Sequence, residues 1–279
     1  MRLGPPRFHL GTQGWNYPAW VGPFYPRAAR PVDFLGLYSR MFDTVEVDST
    51  FCAVPSQAAI EHWTRRVPET FRFALKFPRA ATHDDGLSGD LSVLTLETFL
   101  ERVEPLGPRL GPILIQLPAE FGPRRRAKLD AFLDRLPNSR RFAVEFRDPA
   151  WLETSALESL AARRIALTLT DSPFVPLERM LDLAAAFGDG AMKGADFAYV
   201  RWLGTRDLTD YSHTQLDRSG ELARWAGVLP GLLERGIDVY GYFNNHYAGH
   251  SPASARAFLE LVGIKPKDPK DLEPQRDLF

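Results

Sequence analysis

The amino-acid sequence predicts an α/β fold, a TIM-type (β/α)8 barrel that forms a single domain with a short C-terminal tail. Three observations lead to this prediction. The chain has 279 residues and 44% hydrophobic content, which is enough for one sizeable core. Short β-like runs alternate with helical patterns along the sequence, and several runs turn polar near their ends. We assign the barrel to residues 1–264 and the tail to residues 265–279.

Eight runs of the sequence have the composition of strands. Most are rich in Val, Ile, Phe, Tyr or Thr and are only a few residues long, which is typical of strands. The predicted strands are residues 8–13, 44–48, 71–76, 113–117, 142–147, 165–170, 197–202 and 239–243.

Helical patterns separate these runs. The predicted helices are residues 32–41, 57–66, 95–103, 124–136, 152–163, 177–187, 216–235 and 253–261. Strict alternation of strand and helix favours a parallel sheet closed into a barrel. An open, doubly wound sheet is the alternative, but for a dinucleotide it would normally need a glycine-rich first turn. The first turn reads GTQGWNYPAW and does not match GxGxxG.

Charge and cysteine content exclude several classes of function. The formal net charge is −1, so no bulk attraction to nucleic acid or to a membrane is expected. Cys52 is the only cysteine, which excludes disulfides within the chain and agrees with a reducing compartment. The first residues lack a signal-like apolar stretch, and no apolar run approaches the length of a membrane span. We therefore expect a cytoplasmic protein with no membrane partner.

Charged side chains accumulate at the predicted C-terminal ends of the strands. Side chains alternate between the two faces of a strand, so apolar neighbours on the outer face turn these residues inward. Burial of charge is costly and seldom improves stability, and active sites of barrels lie at this end. We therefore predict a functional site there. Its acid–base candidates are Glu46, Asp48 and Glu145, and its cations are Lys76, Arg147 and Arg201.

The cations indicate the charge of the ligand. Lysine and arginine complement phosphate or carboxylate groups, and arginine can bind them with two hydrogen bonds. Polar neutral side chains are expected beside them at Gln13, Gln116 and Asn244.

The loops add further candidates. After the last strand the sequence reads NNHYAGHSPASA, where Ser251 is expected to cap a helix whose free N–H groups could bind an anion. His246 and His250 flank that position, and we include His246 in the site. Aromatic residues crowd the first loop, where Trp15 could stack on a base or a sugar ring.

A metal cofactor is possible but not favoured by the sequence. Suitable ligand types occur near the predicted mouth, but no local spacing such as HExxH supports a site. Three nearby cations would also oppose a cluster of metals. No GxSxG motif indicates a nucleophilic serine. The ligand types considered are His83, His246, Glu46, Asp48, Glu145 and Asp171.

Seven stretches resemble the domain-of-unknown-function 72 family, also called YecE-like. In order they are GTQGWNYPAW, TVEVDSTFCAVPS, FALKFPRAATH, ILIQLP, FAVEFRDPAW, YVRWLG and YFNNHYAGHSP. The resemblance implies a TIM-type barrel and a distant kinship with barrels such as endonuclease IV and xylose isomerase. It implies no particular reaction. The family more often has Asn at position 48 and Tyr at position 52, and endonuclease IV-like metal ligands do not carry over position by position.

The C-terminal tail suggests a protein partner. It is charged and rich in proline, so we expect a flexible tether. Its end resembles the short motif by which bacterial proteins bind the DNA polymerase sliding clamp, with a mismatch at Arg276. Leu and Phe on a tether can fill an apolar pocket of a partner. The predicted partner-binding residues are Gln275, Leu278 and Phe279.

The combined pattern predicts a hydrolase of the phosphoester class, or a binding protein, that acts on a phosphate-containing nucleotide or nucleic-acid ligand in DNA metabolism. One alternative is a carbohydrate-active enzyme that uses paired carboxylates. Another is a non-catalytic binding module tethered to the sliding clamp.

Overall fold

A computed structural model describes residues 7–205 and 207–273 and shows eight parallel strands with alternating helices. The predicted TIM-type (β/α)8 barrel is thereby confirmed. The strands are β1 (Phe8–Thr12), β2 (Thr44–Val47), β3 (Arg72–Lys76), β4 (Leu110–Gln116), β5 (Phe142–Glu145), β6 (Ala166–Asp171), β7 (Phe197–Trp202) and β8 (Asp238–Phe243).

Helices follow each strand on the outside of the barrel. Pro230 divides the predicted helix 216–235 into two helices, because proline lacks the N–H that a continuous helix needs. In the described part of the chain, no helix combines the length and apolar character needed to cross a bilayer. The helices are α1 (Pro31–Met41), α2 (Gln57–Arg66), α3 (Asp90–Val103), α4 (Arg126–Leu133), α5 (Thr154–Ala162), α6 (Leu177–Ala185), α7 (Ser219–Val228), α8 (Pro230–Glu234), α9 (Asn245–Ala248) and α10 (Ser251–Leu261).

The sheet closes between β1 and β2 through a tyrosine hydroxyl. Thr12 donates its backbone N–H to the Tyr38 hydroxyl over 2.8 Å, and that hydroxyl donates to the Thr44 carbonyl over 3.1 Å. A Cβ on Gly11 would lie 2.1 Å from the Thr44 carbonyl oxygen, so only glycine allows this approach. Beyond it, Gly14 donates its N–H to the Glu46 carbonyl over 2.8 Å. The two strands therefore meet tightly at the mouth.

Alternation along the strands separates an apolar outer face from a more polar interior. Val45, Val47 and Val144 are among the fully buried apolar side chains of the core, and successive side chains of a strand point to opposite faces. Glu46 lies between Val45 and Val47, and Glu145 follows Val144. Both glutamates are at most 1% exposed. A buried carboxylate requires a compensating partner, and the site described below supplies it.

The stretch 265–273 lies against the barrel, unlike the poorly packed tether that the sequence predicted. Leu272 is buried at the end of a short 3-10 turn, Pro269–Leu272. Arg40 of α1 donates to the Asp271 carbonyl, and Lys267 donates to the Arg40 carbonyl, each over 2.5 Å. Leu272 is the one large apolar side chain of residues 265–273, and it is buried where this stretch meets α1. The division at residue 264 remains a prediction.

Candidate functional site

A fully buried arginine links two carboxylates at the centre of the barrel mouth. Arg201 of β7 donates from Nη2 to Glu46 Oε1 over 2.7 Å and from Nε to Glu46 Oε2 over 3.0 Å. Its Nη1 donates to Glu145 Oε2 over 2.5 Å. Tyr199 adds a hydroxyl donor to Glu46 Oε2 over 2.7 Å. Arg201 thus donates three hydrogen bonds to carboxylates of the protein itself, and its predicted role as a ligand contact stays a prediction.

This network has unequal effects on its two glutamates. Burial raises the pKa of Glu46, and the charge of Asp48 adds to that, while Arg201 opposes both. Burial would also raise the pKa of Glu145, but the charges of Arg201 and Arg147 outweigh burial and hold that pKa below its usual range. Opposite charges favour the ionised form of a carboxyl group. Glu145 is therefore the anion that most firmly fixes Arg201.

Asp48 differs from the other two acids because it is accessible. It does not lie in β2 as predicted but begins a 3-10 turn, Asp48–Phe51. Its side chain is 40% exposed, and its Oδ1 lies 3.8 Å from Arg201 Nη2. Oδ1 is itself buried and has no hydrogen-bond donor in the described structure. Of the three predicted catalytic acids, Asp48 is the one that a ligand can reach without breaking the Arg201 network.

Lys76 is a buried cation without a close acidic partner. It ends β3 and is 7% exposed. Among the residues that the structure describes, no carboxylate oxygen lies within 4.0 Å of its ammonium group. Nζ instead lies 3.8 Å from the centre of the Phe51 ring. Burial and, after it, the charge of Arg201 lower the pKa of Lys76 to about 8, against the opposing charges of Asp48, Glu145 and Glu46.

Arg147 lies beside Lys76 but is held by several groups. It follows β5 rather than ending it, so it belongs to the loop of the mouth. Its Nη2 donates to Gln116 Oε1 over 3.1 Å, and its Nε lies 3.5 Å from Glu145 Oε1. Its guanidinium carbon lies 4.5 Å from the centre of the Phe174 ring. These contacts hold the side chains of Arg147 and Gln116 against each other, and their predicted role in ligand binding stays a prediction.

His83 joins these residues, although the sequence indicated it only as a metal-ligand type. It lies on a one-turn π-helix, Ala80–Asp84, a rare conformation that is frequent at functional sites. Its Nε2 lies 3.3 Å from Gln116 Nε2, and its Nδ1 lies 2.8 Å from Thr82 Oγ1. Since the Gln116 amide nitrogen is a donor, His83 accepts at Nε2 and carries its proton on Nδ1. His83 is the last residue of the stretch FPRAATH, and no periodic pattern there could have predicted its contact with Gln116.

Burial lowers the pKa of His83, and the charges of Lys76 and Arg147 lower it further. The imidazole is therefore neutral at pH 7, with a lone pair at Nε2. A neutral imidazole is suited to accept a proton from water or from a hydroxyl group.

Neutral hydrogen-bonding groups line the other side of the mouth, between β8 and β1. Asn244 Nδ2 donates to Gln13 Oε1 over 2.7 Å, so the two predicted residues hold each other. Gln13 is 1% exposed, and its Nε2 has no acceptor in the described structure. His246 lies with its Nε2 3.1 Å from the Tyr211 hydroxyl. This side of the mouth offers amide donors rather than charge.

The loop after β8 is not the anion site that its sequence predicted. Ser251 does not cap α10 but forms its first turn after His250. The Ser251 N–H and hydroxyl both donate to Asn245 Oδ1, over 3.0 and 2.8 Å. His250 is buried, and its Nδ1 lies 2.8 Å from the Tyr211 carbonyl. An asparagine of the chain itself therefore takes the place expected for an anion, and His250 braces the loop.

The aromatic residues of the first loop divide into two groups. Trp20, Phe24 and Tyr25 are at most 2% exposed and pack the loop onto the barrel. Trp15 and Tyr17 are only partly buried and line a cavity of about 340 Å³ at the β1–β2 side of the mouth. Only these two are placed to meet a ligand.

Among residues 7–205 and 207–273, no group of three or more His, Cys, Asp or Glu side chains is arranged to hold a metal ion. Asp171 is engaged by the Trp225 indole N–H and the Tyr247 hydroxyl, each at 3.1 Å. The predicted partner-binding residues Gln275, Leu278 and Phe279 lie outside the described residues.

The comparisons with known proteins agree with the fold. The family described as "Protein of unknown function DUF72" matches residues 9–277. "UPF0759 protein YecE" of Escherichia coli strain K12 is 29% identical over 232 residues, which cover 78% of this chain and 81% of that protein. "UPF0759 protein YunF" of Bacillus subtilis strain 168 is 24% identical over 284 residues, covering 92% and 95%.

Two solved structures are also similar. A DUF72 family protein from Thermotoga maritima MSB8 has a TM-score of 0.73 and 26% identity, covering 92% of this chain and 99% of that one. A DUF72 family protein from Enterococcus faecalis V583 has a TM-score of 0.65 and 19% identity, covering 93% and 99%, and shows the fold alone.

Proposed function

The chain belongs to the DUF72 family, and from the geometry of its barrel mouth we propose that it is an enzyme that binds a phosphate-containing ligand between Lys76 and Arg147 and hydrolyses a phosphoester bond. The observation that carries this proposal is the placement of Lys76. It is a buried ammonium group at the C-terminal end of a barrel strand, where barrel enzymes bind their substrates.

An anion would remove the cost of burying Lys76. Desolvation disfavours the ammonium form, and no carboxylate of the described residues contacts it within 4.0 Å. Glu46 and Glu145 are both tied to Arg201 and so are not placed to neutralise it directly. A phosphate oxygen at Nζ would supply a charge-assisted hydrogen bond at this position.

Two groups are placed to move protons beside the phosphate. His83 is neutral because its pKa is lowered, and its Nε2 can take a proton from an attacking water once that water replaces the Gln116 amide at this nitrogen. The water oxygen bonds to phosphorus as the bond from phosphorus to the leaving oxygen breaks, and that oxygen takes a proton from solvent. Asp48 is the accessible carboxylate of the mouth. Lys76 and Arg147 would stabilise the charge that develops on the phosphate oxygens during the reaction. Gln116 positions both His83 and Arg147, since it contacts each of them.

The same geometry weighs against the carbohydrate hypothesis. A glycosidase requires two carboxyl groups that reach opposite sides of a sugar bond. Here Glu46 and Glu145 both receive hydrogen bonds from one buried arginine, and neither is more than 1% exposed.

Hydrolysis of model phosphoesters tests the proposal. p-Nitrophenyl phosphate and bis(p-nitrophenyl) phosphate would be assayed with the full chain and with the Lys76→Met, His83→Gln and Lys128→Met variants. We expect turnover by the full chain and by Lys128→Met, which changes an exposed lysine of α4. Lys76→Met should raise KM, and His83→Gln should lower kcat. Equal turnover by all four proteins, or by none, would contradict the proposed hydrolysis.

We propose separately that the terminal segment binds the DNA polymerase sliding clamp, which would place the enzyme in DNA metabolism. The resemblance of residues 275–279 to the clamp-binding motif supports this. Capture of the purified clamp by the full chain, and not by a chain ending at Pro274, is the expected result. Equal capture by both chains, or by neither, would exclude this role.

A further inference from the structure

The cavity at the β1–β2 side of the mouth has three aromatic rings in its lining, those of Trp15, Tyr17 and Trp63. It measures about 340 Å³ and contains one charged group, Asp48, among residues that are otherwise neutral. Its remaining lining residues are Gly14, Trp15, Asn16, Tyr17, Val47, Ser49 and Trp63. A cavity of this size with few polar groups is typical of a site for a small organic ligand.

The aromatic walls are held rigidly. Trp63 of α2 is 7% exposed and stacks on Phe73, with ring centres 5.6 Å apart at 28°. Trp15 meets Trp63 edge-on, with ring centres 6.0 Å apart at 90°. Tyr17 packs against Trp20 at 4.7 Å and donates its hydroxyl to the Gln13 carbonyl over 3.0 Å. Rings that are fixed before binding lose little entropy when a flat ligand stacks on them.

Gly14 allows the first loop to turn sharply beside the cavity. Gly14 has φ +75°, and a Cβ there would lie 3.2 Å from the Tyr17 ring. This conformation favours glycine. The loop can therefore turn away from β1 while Tyr17 stays against it.

Asp48 connects the cavity with the phosphate-binding side of the mouth. Its carboxylate lines the cavity and also lies 3.8 Å from the Arg201 guanidinium. Its charge acts on the pKa of Lys76, so the two groups lie within electrostatic reach of one another. A carboxylate accepts hydrogen bonds and donates none when ionised. A ligand group that meets Asp48 must therefore present an N–H or O–H donor.

We propose that this cavity is the subsite for a nucleobase, which stacks on Trp15 and Tyr17 and donates an N–H to Asp48. The inference rests on the proposed function, because it takes the phosphate of the same ligand to lie at Lys76 and Arg147. The substrate class is then a nucleotide or a nucleotide end of a nucleic acid. Bases stack on aromatic side chains with little dependence on sequence, and each of the common nucleobases carries an N–H donor at its base-pairing edge. The three aromatic rings of the cavity favour a flat base over a sugar ring, which would rely on the polar side chains of Asn16, Asp48 and Ser49.

Calorimetric titration with four ligands tests the inference and separates it from the proposed function. The ligands are adenosine 5′-monophosphate, guanosine 5′-monophosphate, ribose 5-phosphate and adenosine. Base stacking predicts that at least one nucleotide binds about tenfold or more tightly than ribose 5-phosphate. Trp15→Ala should abolish this advantage, and Trp15→Phe should keep most of it. Asp48→Asn should weaken nucleotide binding several-fold relative to ribose 5-phosphate, whose phosphate gains from the loss of a negative charge near Lys76.

Asp134→Asn is the matched control, because Asp134 is an exposed acid at the end of α4 that pairs with Arg163. It should leave all four affinities unchanged. If ribose 5-phosphate binds as tightly as both nucleotides, or if neither nucleotide binds, the nucleobase subsite is excluded. If adenosine binds as tightly as its monophosphate and Trp15→Ala still weakens it, the subsite stands and the phosphate site of the proposed function fails. Thermal unfolding of each variant verifies that it is folded.

Discussion

Arg201 on β7 and Glu46 on β2 meet across the interior of the barrel through two hydrogen bonds of 2.7 and 3.0 Å. Both side chains are at most 3% exposed. Because the guanidinium also binds Glu145, one cation is shared by two buried carboxylates. We assign ligand binding instead to Lys76, Arg147, His83 and Asp48, of which Lys76 is buried.

Replacement of Arg201 is expected to destabilise the barrel. Arg201→Met leaves Glu46 and Glu145 buried without their common partner, and breaking such a pair costs roughly 3–5 kcal/mol of unfolding free energy. Urea denaturation at pH 7 measures this loss. Arg163→Met, which removes a more exposed arginine paired with Asp134, should cost no more than about 1 kcal/mol. Equal losses for the two variants would show that Arg201 is not structurally central.

Replacement of Lys76 is expected to stabilise the protein. Its pKa falls from 10.5 to about 8 in the folded state, so the unfolded chain binds the proton more strongly. The unfolding free energy of the natural protein should then rise between about pH 8 and pH 10.5. At pH 7, Lys76→Met should be more stable by on the order of 1–3 kcal/mol. Lys128→Met is the control and should stay within about 0.5 kcal/mol.

A less stable Lys76→Met variant would contradict this prediction. It would mean that the ammonium group is already satisfied by the protein, and the reason for an anion at that position would disappear.

The docked segment before the C-terminus is expected to contribute to stability. Leu272 is 3% exposed, and a buried leucine replaced by alanine typically costs about 2–5 kcal/mol. Since Leu272 lies at the surface of the barrel, where neighbours can relax, we expect a value near the lower end. Leu261→Ala, at a leucine that is 49% exposed, should change the unfolding free energy by less than about 0.5 kcal/mol. Equal values for the two variants would support the tether that the sequence predicted.

The pH dependence of hydrolysis should report on His83. Its lowered pKa keeps the imidazole neutral at pH 7, so kcat should stay constant from pH 7 down past the ordinary imidazole pKa and fall only at lower pH. His83→Gln should remove this acid limb along with most of the activity. A limb that is unchanged in His83→Gln would assign the proton transfer to another group, with Asp48 the next candidate.

Alternation along strands predicted which charged residues share the mouth, because side-chain direction follows directly from strand periodicity. It could not predict that Arg201 donates three hydrogen bonds to Glu46 and Glu145, since that depends on distances between strands far apart in sequence. His83 escaped prediction for a different reason. It lies on a π-helical turn, which has no sequence periodicity to detect.

The errors at the chain's later loops have a similar origin. Ser251 resembled a helix cap, but its own N–H and hydroxyl donate to Asn245 Oδ1, and His250 occupies the cap position. Leu272 looked too isolated to be buried, but it needed only the surface of α1, which sequence reasoning did not place beside it. In both cases the deciding partner lies in tertiary structure rather than in the local pattern.

Calorimetric titration with inorganic pyrophosphate at pH 7 and pH 9 tests most directly whether Lys76 is an anion-binding ammonium group at the barrel mouth. We expect binding at pH 7 that is weaker at pH 9, because Lys76 loses its proton near pH 8 and the neutral amine cannot pair with an anion. Binding at pH 8 should be accompanied by proton uptake, and Lys76→Met should lose both effects. Binding by Lys76→Met that equals that of the natural protein at both pH values would show that Lys76 does not bind the anion.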